Sequence, residues 1–285
     1  MADINPKLVM DLRAATGLPM MQCKQALVAA GGNMEKAIED LRKAGLKAAA
    51  SKAGRTMAEG VVRFRADGAE ATAVLVRCET EPVRNTADFK AFADKVLAIA
   101  HARKPADVAA LKAAPWGGPE GATVADALGA LIAKIGENMD LGGVTAWTAG
   151  PGEKLCSYVH HDDRTAALAR LVVTKTGPEV DEVGKQLCQH IVFSKPVAIS
   201  RDQIPADQVA KEREILAAQV AQDPKMAGKP AQVIENVVKG KVESFFKEKV
   251  LPDQGWYVDE KQSVASVLKS RGATVKDFVL HVAGA

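Results

Sequence analysis

The chain has 285 residues, of which 47% are hydrophobic and 26% charged, and its formal net charge is +3. At roughly 150 residues per domain this suits about two domains, or three smaller modules. The composition excludes a disordered chain and a membrane-embedded one, and so mild a charge does not predict a dedicated, strongly basic nucleic-acid binder.

Residues 1–45 read as three short helices. Pro6 suits a first helical turn, Leu8 and Leu12 share a face, and Thr16-Gly17 stops the helix. Pro19 restarts it, with Cys23 and Leu27 four apart, until Gly31-Gly32. Asn33 caps a third helix that carries Ile38 and Leu41 and is expected to end at Gly45. The basic, Ala-rich run from Lys47 to Arg55 reads as an exposed helical connector, within 46–59. A hairpin follows, Gly60 to Ala66 and Ala71 to Cys78, turning at Asp67-Gly68. Val62 and Phe64 face one way on its first strand, Arg63 and Arg65 the other. An extended loop, Glu79 to Asn85, leads to a helix with Phe89, Phe92, Val96 and Ile99 at helical spacing, ended by Lys104-Pro105. Pro115 to Gly121 reads as a linker, and Val124 to about Asn138 as a helix.

The pattern then returns. Leu155 to His161 and Ala166 to Lys175 read as a second hairpin turning at Asp162-Asp163. Its helix carries Val180, Val183, Leu187 and Ile191 and is ended by Lys195-Pro196. Two ββα units in one chain suggest an internal duplication. The first is the longer, between strand and helix around Glu79 to Asn85, which makes that loop a place for function. Ile204 to Val220 and a helix carrying Ile234, Val238, Val242 and Phe245 form a helical hairpin broken at Asp223 to Pro230. A strand at Gly255 to Val258, a helix at Val264 to Lys269 and a strand at Phe278 to Val282 close the chain.

The candidate chemical constellations are weak. Cys23, Cys78, Cys156 and Cys188 are far apart, which excludes a C-x-x-C motif and reads as reduced thiols in a cytoplasmic protein. Residues 1–7 lack the features of a signal peptide, and no apolar run is long enough for a membrane span. Gly228-Lys229 is not a phosphate loop, since Asp223 and Pro230 stand where Gly and Ser or Thr are needed. His160 and His161 are neighbours on a strand and point to opposite faces, so they do not readily ligate one metal. Glu79 and Glu81 have no partner acid or base for catalysis. The residues therefore favour a multi-module binding protein over an enzyme, with no catalytic residue and no metal site.

From Leu12-Arg13 through Thr16-Gly17, Met20-Met21 and Cys23-Lys24 the sequence resembles bacterial elongation factor Ts. The resemblance continues at Gly32-Asn33, Leu41-Arg42-Lys43, Cys78-Glu79-Thr80 and Phe92 to Val96. It runs on through Lys134-Ile135-Gly136-Glu137-Asn138, Gln189-His190-Ile191, Ser194-Lys195-Pro196 and Gly228-Lys229-Pro230. Each motif is weak alone; the ordered set along the whole chain is specific.

The resemblance implies an α+β fold. Its parts are an N-terminal three-helix ubiquitin-associated-like domain (1–45), a duplicated ββα core and a protruding helical hairpin. The core halves are 60–140 and 141–196, the hairpin 197–250 and a strand-helix-strand 251–285. It implies a non-catalytic exchange factor that binds GDP-bound elongation factor Tu and promotes GDP release by disturbing its magnesium site. No cofactor, DNA or membrane partner follows from it, and a homodimer or a heterotetramer with Tu is left open. The family's magnesium-side loop, Thr-Asp-Phe-Val, corresponds to Thr80, Glu81, Pro82 and Val83, where Glu and Pro replace Asp and Phe. Further implied contacts are Leu12, Arg13, Met20, Met21 and His160. The alternatives are a divergent Tu-binding paralogue with weak exchange, and an RNA- or ribosome-binding module using the Lys47 to Arg55 face.

Overall fold

The computed structural model describes residues 4–226 and 228–284; residues 1–3 of the N-terminal segment, Ala227 in the break of the helical hairpin, and Ala285 lie outside the described residues. The side chains at 46 and 48–50, in the basic run, also lie outside. The chain divides into two units, one of residues 1–148, 159–165 and 281–285, the other of 149–158 and 166–280.

In the first unit, helices α1 (Pro6–Thr16), α2 (Met20–Ala29) and α3 (Met34–Lys52) enclose Val9, Leu12, Leu18, Cys23, Leu27 and Ala37. Asn5 caps α1 by accepting the Lys7 N–H at 2.9 Å, and Gly17 ends it in the left-handed conformation. Asn33 accepts the Lys36 N–H at 3.0 Å to start α3. Unlike the expected stop at Gly45, α3 runs on to Lys52 and takes up much of the predicted connector. Gly45 serves close approach instead of a cap, since a Cβ there would lie 3.3 Å from the Gly129 carbonyl oxygen.

Strands β1 (Glu59–Asp67) and β2 (Glu70–Cys78) form the first hairpin. Its turn is Gly68-Ala69, one residue later than expected, because Asp67 still pairs with Glu70. Helix α4 (Glu81–Arg84) replaces the extended loop expected there. Helix α5 (Ala87–Arg103) follows, then α6 (Val108–Ala113). The predicted linker is a small hairpin, β3 (Pro115–Gly118) and β4 (Gly121–Thr123), which brings Trp116 into the core. Helix α7 (Val124–Ile135) opens on a capping box between Thr123 and Asp126 and closes on Gly136 (φ 92°), short of Asn138. Strand β5 (Met139–Thr148) completes an antiparallel sheet in the order β1-β2-β5, with a register shift at Leu75/Val76.

Val61, Val74, Val76, Phe89, Phe92, Val96, Leu111, Trp116 and Leu128 make the core between sheet and helices. The helix side of β1 is the one that also carries Arg63, which pairs with Asp94 of α5 at 2.7 Å. Within the same unit the His281 imidazole is buried and shares a hydrogen bond of 3.0 Å with the Thr145 hydroxyl. Burial, with the Arg77 cation beside it, pushes its pKa from 6.5 down to about 4. The neutral ring therefore stabilises the fold fully above about pH 6.5, and this is lost as pH falls towards 4, by up to about 3 kcal/mol. Denaturant midpoints of wild type and His281→Gln should converge over that window; parallel pH profiles would refute the buried neutral ring.

In the second unit, β6 (Glu153–Val159), β7 (Thr165–Val173) and a late strand form a sheet. It is followed by α8 (Pro178–Ser194), α9 (Ala206–Gln222) and α10 (Ala231–Lys249), of which α9 and α10 pack together. A short pair, β8 (Gly255–Trp256) and β9 (Asp259–Ser263), leads to α11 (Val264–Ser270) and the late strand β10 (Ala273–Val282). The sheet order is β10-β7-β6, and the core gathers Leu171, Leu187, Ile191, Leu251, Trp256 and Leu268. Helix α8 meets β6 at Gly184, where a Cβ would lie 2.1 Å from the Cys156 sulfur. Gly184→Ala should therefore lower stability by about 1–3 kcal/mol in urea unfolding, with part recovered by adding Cys156→Ala.

Both long helices beside the sheets end alike. Lys104 after α5 (φ 50°) and Lys195 after α8 (φ 47°) are left-handed caps, each followed by proline. No helix among the described residues is long and apolar enough to cross a membrane.

Candidate partner-binding site

The segment Thr80 to Val83 leaves the end of β2 and becomes the first turn of α4. Pro82 fits there because its fixed φ suits a first turn and its missing N–H would have had no helical partner. Val83 turns inward and packs in the first unit's core, while Thr80, Glu81 and Pro82 are exposed. The outward surface of the segment is thus Glu81-Pro82, anchored by one buried valine.

Both ends of this turn are tied. On the strand side, the Thr80 N–H and hydroxyl donate to the two carboxylate oxygens of Glu137, at 3.1 and 2.7 Å. Glu79 accepts the Asn138 N–H at 2.5 Å and pairs with Arg55 at 3.4 Å. The Asn138 amide in turn donates to the Arg55 carbonyl at 3.0 Å. On the other side, Arg84 donates to Glu81 and to the Asp162 carbonyl, each at 3.1 Å. Its guanidinium also lies 3.4 Å from Glu59, which pairs with Arg164 at 3.3 Å. Two basic and two acidic groups alternate here, Glu81 exposed and the other three partly buried, an arrangement that gives geometry more than net attraction.

The turn after β6 carries His160. Its ring lies 3.2 Å from Asp162 and is tilted 43° against that of His161, with centroids 4.1 Å apart; the two do not point to opposite faces of a strand as expected, because β6 ends at Val159. Burial raises the Asp162 pKa, but the Arg164 N–H and His160 outweigh it and hold the carboxyl below its ordinary value. Asp163 takes a left-handed conformation, pairs with Arg63 at 2.9 Å and accepts the Val62 N–H at 2.6 Å. Arg84 therefore brings Thr80 to Val83 and the His160 turn into one cluster. Cys78 lies beneath it, its thiol pushed up to about 12 by burial and then by the charges of Glu137 and Glu59, and so unsuited to nucleophilic chemistry.

The N-terminal candidates separate. Leu12 is fully buried in the three-helix core and holds that core instead of facing a partner. Arg13 is exposed, and Met20 and Met21 are 45% and 63% exposed, unusual for such apolar side chains. The basic run expected to serve RNA has Arg55 engaged with Glu79 and Asn138. Among the described residues no group of three or more His, Cys, Asp or Glu is placed to hold a metal ion.

Glu137, Asn138, Arg84 and Glu59 were not expected from residue chemistry. Glu137 is 57 residues from Thr80 in the chain, so no local pattern ties them. The signal for Glu137 and Asn138 was the Lys134 to Asn138 run, which the resemblance carried without a role.

Comparison with known proteins converges on one family. Residues 79–285 match the family model described as Elongation factor TS. The chain is 42% identical to Elongation factor Ts of Cellvibrio japonicus over 98% of its length and 90% of the relative's. It is 40% identical to that of Ralstonia nicotianae, over 100% and 91%. It is 38% identical to that of Burkholderia multivorans, over 100% and 92%. A match of this extent, taking in the site segment and both its braces, makes the chain a member of the elongation factor Ts family of translation elongation factors.

Proposed function

We propose that the chain is the guanine nucleotide exchange factor for GDP-bound elongation factor Tu, acting without catalytic residues of its own. The observation that supports this is the tied turn at Thr80 to Val83 with its exposed tip, Glu81-Pro82, a stretch that the family resemblance aligns with the magnesium-side loop. A rigid segment loses little entropy on docking, and a carboxylate presented near a bound magnesium competes for its surroundings. GDP then loosens, because a divalent ion bridging phosphates is the largest local charge in such a site.

In this reading residues 1–45 are a ubiquitin-associated-like module near the partner's nucleotide site. Residues 60–140 and 141–196 are duplicated halves, supported by the matching left-handed lysine caps at Lys104 and Lys195. The pair α9–α10, within 197–250, is the protruding hairpin, and 251–285 closes the core. Met20 and Met21 at the start of α2 supply apolar contact, and the exposed Arg13 of α1 a charged one. Met20→Lys with Met21→Lys should leave the melting temperature nearly unchanged, because both are exposed. Binding to Tu should weaken about tenfold or more by titration calorimetry; unchanged affinity would remove the methionines from the interface.

A second reading, a Tu-binding paralogue with weak exchange, is favoured by one observation. Pro82 stands where the family loop carries a phenylalanine. Linkage separates the two readings. If the chain weakens GDP binding by some ratio, GDP must weaken chain binding by the same ratio. Affinity for nucleotide-free Tu should therefore exceed affinity for Tu–GDP by at least about tenfold; equal affinities would leave a binder without exchange.

A further inference from the structure

Thr80 is the N-cap of α4, yet its side chain makes no capping bond. A threonine at this position ordinarily accepts from the second or third N–H of the helix. Here the second residue is Pro82, which has none, and the hydroxyl is donated outward to Glu137. The same carboxylate takes the Thr80 N–H, so both donors of one residue end on one side chain. Glu137 reaches them because Gly136 closes α7 in the left-handed conformation and redirects the chain towards β2. Asn138, the next residue, grips Glu79 through its own backbone N–H. Two consecutive residues after α7 thus hold two consecutive residues before the exposed tip.

The two grips differ in what their loss would do. Asn138 also bonds Arg55, and Arg84 ties Glu81, Glu59 and the Asp162 carbonyl, so both knit several segments together. Glu137, by contrast, directs its two oxygens to Thr80. Its removal leaves the Glu79–Asn138 bond and the Val83 anchor in place and frees the direction in which the turn starts.

We infer that Glu137 is a positioning residue for exchange, fixing Thr80 so that Glu81 and Pro82 are presented at a set angle to the partner. This rests on the exchange reading above. It predicts a loss in the maximal rate at which bound partner releases GDP, with little change in affinity or stability.

The test uses the full chain and Glu137→Gln, which keeps the shape but replaces one acceptor with a donor. Stimulated release of a fluorescent GDP analogue from elongation factor Tu is measured against factor concentration. Glu137→Gln should lower the plateau about tenfold while shifting the half-saturating concentration less than about twofold. Its melting temperature should match wild type, and the Thr80 amide should lose protection in hydrogen exchange. Thr80→Val should reproduce Glu137→Gln, with the two changes together costing little more than either. A Glu137→Gln plateau equal to wild type, or a Thr80→Val variant with no effect, would overturn the positioning role alone. A loss explained wholly by a lower melting temperature would also overturn it. Wild-type chain that leaves GDP release unaltered would overturn the exchange reading, and this role with it.

Discussion

Phe92→Ala should destabilise the first unit by about 3–5 kcal/mol, the usual cost of a cavity left by a large buried aromatic. Phe92 is 5% exposed and stacks on Trp116, with ring centroids 5.3 Å apart and planes 27° apart. Its removal strands Trp116, whose Nε1 is already fixed to Glu120 at 2.7 Å and cannot swing to fill the gap without losing that bond. Val96 and Leu131 line the same core but stand on separate helices, so collapse would be partial. Urea unfolding followed by circular dichroism gives the loss directly. GDP-release activity should fall only in proportion to the unfolded fraction. A variant that is fully folded but inactive would put Phe92 at the partner interface, against its place in the core.

Pro82→Phe combined with Glu81→Asp should accelerate stimulated GDP release by about tenfold or more. Position 82 is exposed on a tied turn, so a phenyl ring there costs the fold little and is available to a partner. A buried aromatic anchor at an interface centre is commonly worth about 2 kcal/mol, and each 1.4 kcal/mol is a factor of about ten. Two opposing effects are smaller. Losing proline frees the turn by up to about 1 kcal/mol of backbone entropy. Shortening Glu81 weakens its bond to Arg84, but that carboxylate is 65% exposed and Arg84 keeps its bond to the Asp162 carbonyl. Stopped-flow release of a fluorescent GDP analogue decides the matter. A slower or unchanged rate would mean that the partner's surface is shaped to Glu81-Pro82, or that this turn is not the wedge.

The elements most legible in the sequence were those with local punctuation. Pro6, Gly17 and Pro19 place α1 and α2 because caps and turns act over a few residues. The two Lys-Pro stops after α5 and α8 read correctly for the same reason. β5 is hard to read because Gly142-Gly143 interrupts its alternation, and Gly142 is the extra residue where the register shifts opposite Leu75 and Val76. Gly45 was misread because the cue that ends a helix also permits close helix packing, and only the position of Gly129 separates the two. The candidate turn was located by resemblance, but its helical form follows from Pro82 in a first turn, which residue chemistry alone allows without requiring. Its braces could not be read at all. Glu137 and Asp162 reach it across long chain separations, and such ties exist only after the core has packed.

The most direct measurement is the rate of GDP release from the cognate elongation factor Tu, followed by stopped flow with and without this chain. Release should accelerate with increasing factor and reach a plateau, and excess magnesium should slow it. A release rate that stays at the spontaneous value, at concentrations where calorimetry shows the two proteins bound, would contradict the exchange function.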